Sequence, residues 1–386
     1  MPTVVDLFSG GGGMSLGFQN AGFNVIAAFE NWDNAIDCYK ENFNHPIYKQ
    51  DLSDEESSIK AISELKPDII IGGPPCQDFS QAGKRIEGDK ADLTIHFANI
   101  VTSIKPKIFV MENVDRVKNS GVYQISKQKY EASGYELNEI VLDASLCGVP
   151  QKRKRFFCIG TLNFSGKKAI EFLQNNLSDK PMTVRDYFGD SLGIEGYYRH
   201  PRNYNRRGIF SIDEPAPTIR GVNRPIPPGY TIHANDAVKD LTAVRPLTTI
   251  ERSLIQTFPS SFKFKGTKTN LEQIIGNAVP VKLAQYVATG VLKLFEDKSE
   301  VNFDKFSTWL QTKNNYTPRS IRDIVSRLKR LDRLSPLSTN YRTYIINIES
   351  NVNFIQLSKS VQSQLKKSYK LYLECLDFYS AEKNAL

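Results

Sequence analysis

The sequence predicts an α/β protein built on a doubly wound sheet, with a separate helical segment at its end. Short apolar runs typical of buried strands, such as residues 4–8, 25–29 and 69–71, alternate with helical patterns over the first 163 residues. A glycine-rich turn follows the first run, at the position where open α/β sheets bind ligands. The alternation stops between residues 164 and 244, and apolar residues recur at helical spacing after residue 299.

Composition limits the possible classes of function. The chain has 386 residues, enough for two or three domains, and its net charge of +8 suggests an anionic partner such as nucleic acid. Its five cysteines include no Cys-x-x-Cys pair, which argues against a zinc site or a disulfide framework and favours a reducing, cytoplasmic compartment. We expect no membrane span, because no long apolar run occurs, and no signal peptide, because a strand pattern begins almost at once. We also expect no metal, because no cluster of ligand residues is visible.

The glycine-rich turn, Ser9-Gly10-Gly11-Gly12-Gly13, links the first strand to a helix. Such a turn lets a ligand approach the backbone and the helix N-terminus, although about half of them only tighten a corner. Glu30 ends the next strand, where a carboxylate either binds ribose hydroxyls or is simply solvated. These features fit NAD and S-adenosylmethionine equally well. Asp51 is a further strand-end acid, either an acceptor for an adenine amino group or an exposed loop residue.

One cysteine stands directly after a buried strand, in Gly72-Gly73-Pro74-Pro75-Cys76-Gln77. The glycines let the chain turn at the carboxyl end of the strand, and the prolines stiffen the segment that follows. A cysteine taken alone is most often a core residue. Rigid backbone before Cys76 and polar residues after it instead favour an accessible thiol that acts as a nucleophile.

Charged residues at neighbouring strand ends complete the candidate site. Glu112 follows the strand pattern of residues 106–111, on the same edge of the sheet as Cys76, and is either a proton donor or a salt-bridged surface acid. Arg153 and Arg155 lie in a turn before the strand at residues 156–160 and point the same way. The two guanidiniums can converge on one ligand. The alternatives for this basic run are a solvated face or a nuclear localisation signal.

Two polar segments lie outside the strand pattern. Residues 78–92 form a loop beside Cys76, rich in Gly, Ser and charge, that is either a lid or ordinary surface. Residues 197–230 mix arginines with tyrosines and asparagines, which favours a surface that reads DNA bases, although such a loop can also merely neutralise phosphates. We expect six arginines to contact DNA collectively: Arg199, Arg202, Arg206, Arg207, Arg220 and Arg224.

Six stretches, in this order along the chain, resemble the motifs of cytosine-C5 DNA methyltransferases. The order is that of the bacterial restriction-modification enzymes, and the resemblance covers about residues 3–295. The stretches are Asp6-Leu7-Phe8-Ser9-Gly10-Gly11-Gly12-Gly13, Gly73-Pro74-Pro75-Cys76-Gln77-Asp78-Phe79-Ser80, Glu112-Asn113-Val114, Gln151-Lys152-Arg153-Lys154-Arg155, Arg245-Pro246-Leu247-Thr248 and Gln273-Ile274-Ile275-Gly276-Asn277-Ala278-Val279-Pro280.

The resemblance implies a role for each matched residue. Cys76 would be the nucleophile, Glu112 would contact N3 and the exocyclic amine of cytosine, and Arg153 with Arg155 would hold the base and the nucleophile loop. Gln77 and Ser80 would contact DNA. S-adenosylmethionine would be bound by nine residues: Phe8, Gly10, Gly12, Glu30, Asp51, Leu52, Pro75, Leu93 and Asn277.

The resemblance also implies an architecture and a reaction. The fold would be that of S-adenosylmethionine-dependent methyltransferases, closed by a helix at residues 281–295 that packs beside the glycine-rich turn. Residues 1–163 and 245–298 would form the catalytic domain, with a small target-recognition domain inserted at 164–244. A cytosine flipped out of double-stranded DNA would be methylated at C5 through a thiol adduct, without a metal. A cognate restriction endonuclease is a possible partner.

Residues 299–386 lie outside this resemblance. Thr317 and Pro318 have the pattern of a helix N-cap and a first-turn proline. An apolar stripe follows, at Ile321, Ile324, Val325, Leu328, Leu331 and Leu334, and residues 356–379 read as another helix, so we expect a small helical bundle. Its faint similarity to the DNA-clamping domain of tyrosine recombinases leaves a DNA clamp and a dimer or partner surface both open.

Three other functions remain open from the sequence. An RNA (tRNA) cytosine-C5 methyltransferase would use the same chemistry, although the long arginine-rich insert favours DNA. A nicotinamide oxidoreductase would fit the glycine-rich turn and Glu30 but would leave Cys76 and Glu112 without a role. A DNA-binding protein that no longer catalyses is the third, and the complete set of candidate catalytic residues counts against it.

Overall fold

The computed structural model describes most of the chain, in two compact units. The described residues are 1–75, 93–201, 203, 206–295, 302–313, 315–335, 337, 344–345, 348–349 and 351–384. The units are Met1–Leu294 and Phe295–Leu386. Cys76, Gln77, Ser80, Arg202 and the expected lid at 78–92 lie outside the described residues.

A seven-stranded sheet forms the centre of the first unit, in the order β3-β2-β1-β4-β5-β8-β6. Strands β3, β2, β1, β4 and β5 are parallel, as in a doubly wound sheet, and this prediction is confirmed. The strands of this sheet are β1 (Thr3–Leu7), β2 (Asn24–Glu30), β3 (Ile47–Lys49), β4 (Ile69–Gly72), β5 (Ile108–Val114), β6 (Tyr135–Asp143) and β8 (Lys154–Leu162). The short strand β7 (Gln151–Lys152) precedes β8 and lies outside this sheet.

Strand β8 breaks the parallel pattern, because it runs antiparallel to both of its neighbours, β5 and β6. Only residues 144–153 separate β6 from β8. A parallel crossover needs a dozen or more residues, so a connection this short returns the chain in the opposite direction. Arg155 near the start of β8 is thereby placed opposite Val114 at the end of β5.

Helices cover both faces of the sheet. Side chains alternate between the faces, so Ala27 and Phe29 of β2 join the core that α3, α4 and α5 cover, whereas Ala28 joins a second core with α2, α9 and α10. The helices of this unit are α1 (Gly13–Asn20), α2 (Asp33–Lys40), α3 (Glu55–Leu65), α4 (Leu93–Ile104), α5 (Gly121–Ala132), α6 (Lys167–Asn175), α7 (Val184–Phe188), α8 (Thr249–Ile255), α9 (Lys268–Asn277) and α10 (Val281–Leu292).

Helix α10 packs against α1, beside the glycine-rich turn, as the resemblance implied. Small residues make the contact close. A Cβ atom added at Gly17 would lie 2.4 Å from the Cβ of Ala284, and one added at Gly13 would lie 2.3 Å from the carbonyl oxygen of Val279. These glycines are therefore needed for packing as much as for any ligand.

The region after β8 combines short strands and helices. Strands β9 (Gly196–Tyr198), β10 (Ile209–Ser211) and β12 (Arg245–Pro246) form a three-stranded sheet, while β11 (Ala216–Pro217) pairs with β7. Helix α6 lies inside the range expected for the insert but packs against α10, where the Tyr286 hydroxyl donates to the carbonyl of Leu173 at 2.7 Å. Short 3-10 turns occupy Asp115–Asn119, Ala144–Leu146 and Leu241–Ala243.

The second unit is a helical bundle with its own core. Its helices are α11 (Phe303–Thr312), α12 (Pro318–Leu334), α13 (Val352–Ile355) and α14 (Lys359–Asn384). Thr317 caps α12 by accepting a hydrogen bond from the Ser320 amide at 3.2 Å, and Pro318 opens the helix. Four residues of the expected stripe are buried in this core: Ile321, Ile324, Leu328 and Leu331. The helical C-terminal part is thus confirmed.

Candidate active site

A cavity of about 410 Å³ lies at the carboxyl ends of β1, β2 and β4. Six of the nine residues expected to bind the cofactor line it, whereas Gly10, Gly12 and Asn277 are not among its lining residues. Three further residues line it: Asn31, Trp32 and Gln50. Asn31 and Trp32 follow Glu30 in the sequence, and Gln50 directly precedes Asp51. The complete lining is Phe8, Glu30, Asn31, Trp32, Gln50, Asp51, Leu52, Pro75 and Leu93.

The carboxylate of Glu30 ties the glycine-rich turn to the loop after β2. It accepts hydrogen bonds from the backbone amides of Gly10 at 2.8 Å, Asn31 at 2.9 Å and Trp32 at 3.0 Å. Each carboxylate oxygen has two lone pairs, so three bonds leave the group able to accept one more. The turn and the acid are therefore fixed relative to each other.

The backbone of the turn is held in unusual conformations. Phe8 has a φ of 56°, a conformation that non-glycine residues rarely adopt outside special sites. Gly12 has a φ of 88°, and a Cβ added there would lie 2.4 Å from the ring of Phe43. Ser9 is buried between them, and its hydroxyl has no hydrogen-bond partner among the described residues.

These features fit a nucleoside ligand. Phe8, Trp32 and Leu52 offer apolar surface for a purine ring, and the carboxylates of Glu30 and Asp51 can accept hydrogen bonds from hydroxyl and amino groups. The unpartnered hydroxyl of Ser9 is a further polar group at the turn. The cavity volume lies within the range of small-molecule sites in proteins.

Glu112 and Arg155 form an almost buried ion pair at the next part of the same sheet edge. Arg155 Nε lies 2.9 Å from Glu112 Oε1, and the two side chains are only 15% and 11% exposed. Burial raises the pKa of Glu112 above its ordinary value, although Arg155 and Arg153 act in the opposite direction. The carboxyl group can therefore hold a proton more readily than an exposed glutamate can.

The end of β5 also holds the chain that leads to Cys76. Asn113 Nδ2 donates to the carbonyl of Pro74 at 2.9 Å, in a buried position. A Cβ added at Gly73 would lie 3.0 Å from Glu112 Oε2, so the carboxylate rests against this glycine. The segment directly before Cys76 is thus fixed beside Glu112.

Arg153 has different partners from those expected of a base-binding residue. Its guanidinium is 2% exposed and donates at 3.1 Å to each of three backbone carbonyls, those of Ile219, Gly276 and Ala278. Burial, and then Arg155, lower the pKa of Arg153. The sequence predicted that the guanidiniums of Arg153 and Arg155 converge on one ligand. In the structure, the guanidinium of Arg153 instead donates to carbonyls of the protein's own backbone.

Two glutamines add hydrogen bonds beside those of Arg153, and they join the segments that contain Gln151, Ile219 and Gln256. Gln151 Nε2 donates to Gln256 Oε1 at 2.7 Å, and Gln151 Oε1 accepts from the Ile219 amide at 2.9 Å. Backbones meet closely here, because a Cβ added at Gly276 would lie 2.3 Å from the amide nitrogen of Gly221. Sequence reasoning missed Gln256, which stands outside the six motifs.

The arginines of the insert separate into two groups. Arg207 pairs with Glu214 at 2.5 Å, Arg199 donates to the carbonyl of Thr218 at 2.9 Å, and Arg220 donates to the carbonyl of His200. These three guanidiniums contact the protein itself. Arg206 and Arg224 are exposed.

Four of the five cysteines are described, and all four are buried with free thiols. Burial raises the pKa of each: Cys38 and Cys375 to about 11, and Cys147 and Cys158 to about 12. Thiols of this kind are poor nucleophiles near neutral pH. Among the described residues, no cluster of His, Cys, Asp or Glu is arranged to hold a metal ion. No helix in that part of the chain has the length and apolar character to span a membrane.

Known proteins share this fold and sequence pattern. Residues 2–293 match the family model described as C-5 cytosine-specific DNA methylase. The type II methyltransferase M.HindV of Haemophilus influenzae is 62% identical over 290 residues, covering 75% of this chain and 95% of that protein. The type II methyltransferase M.HgiDI of Herpetosiphon aurantiacus is 55% identical over 289 residues, covering 75% and 93%.

Solved structures agree at the level of the fold. The S. pombe Dnmt2 methyltransferase superimposes with a TM-score of 0.58 at 17% identity, covering 76% of this chain and 99% of that one. The Entamoeba histolytica methyltransferase EhMeth gives 0.57 at 18% identity, covering 77% and 99%. The predicted family and fold are therefore confirmed, and the oxidoreductase and non-catalytic alternatives are not supported. The chain belongs to the C-5 cytosine-specific DNA methylase family and is an S-adenosylmethionine-dependent DNA (cytosine-5-)-methyltransferase of the restriction-modification type.

Proposed function

We propose that Cys76 attacks C6 of a flipped-out cytosine and that Glu112 supplies the proton that makes this attack possible. The observation that carries the proposal is the position of Glu112. Its carboxyl group is buried, rests against Gly73 and is paired with Arg155, directly beside the segment that leads to Cys76.

The chemistry requires a thiolate and a proton donor on the same base. C5 of cytosine is a weak nucleophile until a thiolate adds at C6 and N3 receives a proton, which converts the ring into an enamine. S-adenosylmethionine, when bound, supplies an electrophilic methyl group on a sulfonium sulfur. After C5 has been methylated, its original proton is lost to a base, the N3 proton returns to Glu112, and departure of the Cys76 thiolate restores the aromatic ring. Because these atoms are inaccessible in stacked DNA, the base must leave the duplex.

The surroundings of Glu112 suit this role. Its raised pKa favours the protonated form that N3 needs, and the ion pair with Arg155 orients the carboxyl group. Asn113 fixes the carbonyl of Pro74, two positions before Cys76 in the sequence. The four other cysteines are buried with raised pKa values, which leaves Cys76 as the candidate nucleophile.

We assign the cofactor to the cavity at the ends of β1, β2 and β4. Glu30 and Asp51 would accept hydrogen bonds from its hydroxyl and amino groups, while Phe8, Leu52, Pro75 and Leu93 would enclose it. Gly10 and Gly12 would allow the backbone close approach, and Asn277 would act from the end of α9.

DNA recognition is assigned to the insert and to residues beside the nucleophile. Arg206 and Arg224 are exposed and can contact phosphates or base edges, whereas Arg199, Arg207 and Arg220 would shape the surface. Gln77, Ser80 and Arg202 remain proposed DNA contacts. We also propose that a cognate restriction endonuclease cleaves the sequence that this enzyme protects.

Methylation mapping tests the proposal. The full chain is incubated with S-adenosylmethionine and unmethylated genomic DNA, and 5-methylcytosine is located by bisulfite sequencing. We expect methylation within one short sequence context, abolished by Cys76→Ser and retained by the matched control Cys375→Ser. Methylation that survives Cys76→Ser would contradict the covalent mechanism while leaving the methyltransferase activity in place.

A further inference from the structure

Positive charge is distributed very unevenly along the chain. The helical unit, residues 295–386, contains 15 Lys and Arg against 10 Asp and Glu, whereas residues 1–294 contain 35 against 32. The helical unit therefore carries +5 of the net charge of +8 in less than a quarter of the chain, and the methylase unit carries the remaining +3. The net charge suggests a polyanionic partner, and its distribution indicates that the helical unit in particular binds that partner.

Helix α12 concentrates this charge on one face. Its residues advance by 100° each, which places five exposed cations within an arc of about 100°. The apolar stripe of Ile321, Ile324, Leu328 and Leu331 occupies the opposite side and is buried. The five cations are Arg319, Arg322, Lys329, Arg330 and Arg333, and we call them the basic face of α12.

The basic face is largely free of internal partners. Among the described residues, no carboxylate forms an ion pair with Arg319, Arg322 or Arg330. The acidic residues of α12 do not neutralise it, since Asp332 accepts a hydrogen bond from the Leu337 amide at 3.1 Å and Asp323 stands at the edge of the arc. In the methylase unit, by contrast, Arg207 and Arg245 are paired with carboxylates.

The basic face of α12 is also long, and the helix that carries it is held by a cap and a buried apolar stripe. From Arg319 to Arg333 the helix rises about 21 Å, at 1.5 Å per residue, which spans several phosphates of a duplex. The N-cap at Thr317 and the buried stripe hold the helix in place. Lys329 lies over the ring of Phe303 at 5.1 Å, so it is further anchored. Preorganised cations lose little conformational freedom on binding an anion.

We propose that the helical unit is a second DNA-binding site, which holds the phosphate backbone of a duplex through the basic face of α12. A second copy of this chain is a poor occupant of the same surface, because two such faces repel each other. The family match ends at residue 293, and M.HindV and M.HgiDI are matched over 95% and 93% of their lengths without this unit. The unit thus adds sequence-independent affinity to a methylase unit whose net charge is only +3 over 294 residues.

Salt dependence of DNA binding tests the proposal in the full chain. The variant is Arg322→Gln with Lys329→Gln and Arg330→Gln, and the probe is a 30-base-pair duplex of mixed sequence, without cofactor. We expect the slope of log K against log salt to fall in magnitude by about 2 to 3, since each phosphate contact contributes about 0.9. Affinity at low salt should fall roughly 10-fold to 100-fold.

A matched control removes the same charge elsewhere. The control variant combines three substitutions, Lys60→Gln, Lys105→Gln and Lys129→Gln. These lysines are in α3, directly after α4 and in α5, and none of them lines the cofactor cavity. This variant should keep the wild-type slope. Arg322→Lys with Arg330→Lys should also keep it, which separates charge from folding.

The outcomes are decisive in either direction. A reduced slope in the glutamine variant alone, with an unchanged kcat on saturating DNA, would support the second site. Equal slopes in the glutamine variant and the control would overturn it and would direct attention to an acidic protein partner. Methylation by the wild-type chain is scored separately, so failure of the catalytic proposal would not be confused with failure of this one.

Discussion

Buried arginines of the methylase unit and exposed arginines of the helical unit contact different kinds of partner. In the methylase unit Arg153 and Arg252 are only 2% and 5% exposed, and their guanidiniums contact carbonyls and a carboxylate of the protein itself. In the helical unit Arg322 and Arg330 are exposed and have no ion pair among the described residues. Buried arginines fix distances between segments of the protein, whereas exposed arginines, which include Arg206 and Arg224 of the methylase unit, can attract an anion from solution.

The energetic reason lies in solvation. A buried charge is costly unless it is paired and hydrogen-bonded, so a buried arginine specifies its neighbours strongly. An exposed charge keeps its hydration and gains only a modest, salt-dependent energy from each contact. Substitutions in the first group should therefore affect stability or catalysis, and those in the second should affect salt-dependent binding.

The largest effect is expected at the ion pair of the active site. Glu112→Gln keeps the shape of the side chain but removes its proton-donating carboxyl group. We expect kcat to fall by about 10²-fold to 10⁴-fold, the range of general acid catalysis, with DNA affinity nearly unchanged. Single-turnover methylation assays measure this, and a variant with wild-type kcat would rule out the proton-donor role.

Arg153→Ala should chiefly lower stability. It leaves three buried carbonyls, those of Ile219, Gly276 and Ala278, without their donor. We expect the free energy of unfolding to fall by about 3 kcal/mol or more, since each hydrogen bond to a charged group contributes roughly 1.5–3 kcal/mol. Urea denaturation measures the change, with the exposed Arg322→Ala as the control. A loss below 1 kcal/mol would show that Arg153 is not a structural clamp.

A buried acid in the methylase unit gives a pH-dependent test. Asp6 is 1% exposed, and burial raises its pKa from 3.8 to about 7, although it accepts a hydrogen bond from Ser15 Oγ at 2.6 Å. The folded chain thus binds this proton more tightly than the unfolded chain, so the stabilisation is present at low pH and is lost between about pH 4 and pH 7. Relative to Asp6→Asn, the wild type should lose about 3 kcal/mol between pH 4.5 and pH 8.

His45 has to be included in that experiment, because its pKa shifts the other way. Its Nε2 lies 2.6 Å from the Tyr39 hydroxyl, which donates to Ser15, and burial lowers the pKa of His45 to about 4. The unfolded chain binds this proton more tightly, so stability falls as the pH drops from 6.5 towards 4. Denaturation of Asp6→Asn, His45→Gln and the double variant separates the two slopes. A wild-type slope in Asp6→Asn would contradict the assignment to Asp6.

The smallest effect is expected within the insert. Arg224→Gln removes an exposed cation and should reduce the magnitude of the salt slope of DNA binding by about 1. Arg207→Gln removes a cation already paired with Glu214 and should leave that slope unchanged. Equal slopes for the two variants would show that pairing in the free protein does not decide which insert arginines contact DNA.

The sequence could predict the edge of the sheet at which the site lies. Phe8 follows β1, Glu30 ends β2 and Glu112 lies two residues before the end of β5, and the carboxyl ends of parallel strands meet at one edge. Strand patterns therefore indicate Glu30 and Asp51, whereas Phe8, Leu52, Pro75 and Leu93 of the cavity lining were predicted from the family resemblance. The same pattern reasoning located the apolar stripe of α12, because helical spacing alone determines which face is buried.

Other features could not be predicted in this way. The partners of Arg153 are backbone carbonyls far along the chain, and a carbonyl is present at every residue, so it leaves no pattern in the sequence. The reversal at β8 depends on the length of one connection. The chain of hydrogen bonds from Asp6 through Ser15 and Tyr39 to His45 joins side chains that only the packed fold brings together.

The central claim is that Cys76 bonds to the target cytosine while Glu112 protonates it. The most direct test uses duplex DNA in which the target cytosine carries fluorine at C5, because loss of a proton from C5 is then impossible and the adduct persists. With S-adenosylmethionine present, the wild-type chain should form a complex with DNA that survives denaturing electrophoresis, with the DNA attached to the peptide that contains Cys76. Cys76→Ser should form none. A stable complex in that variant, or attachment at another residue, would contradict the account.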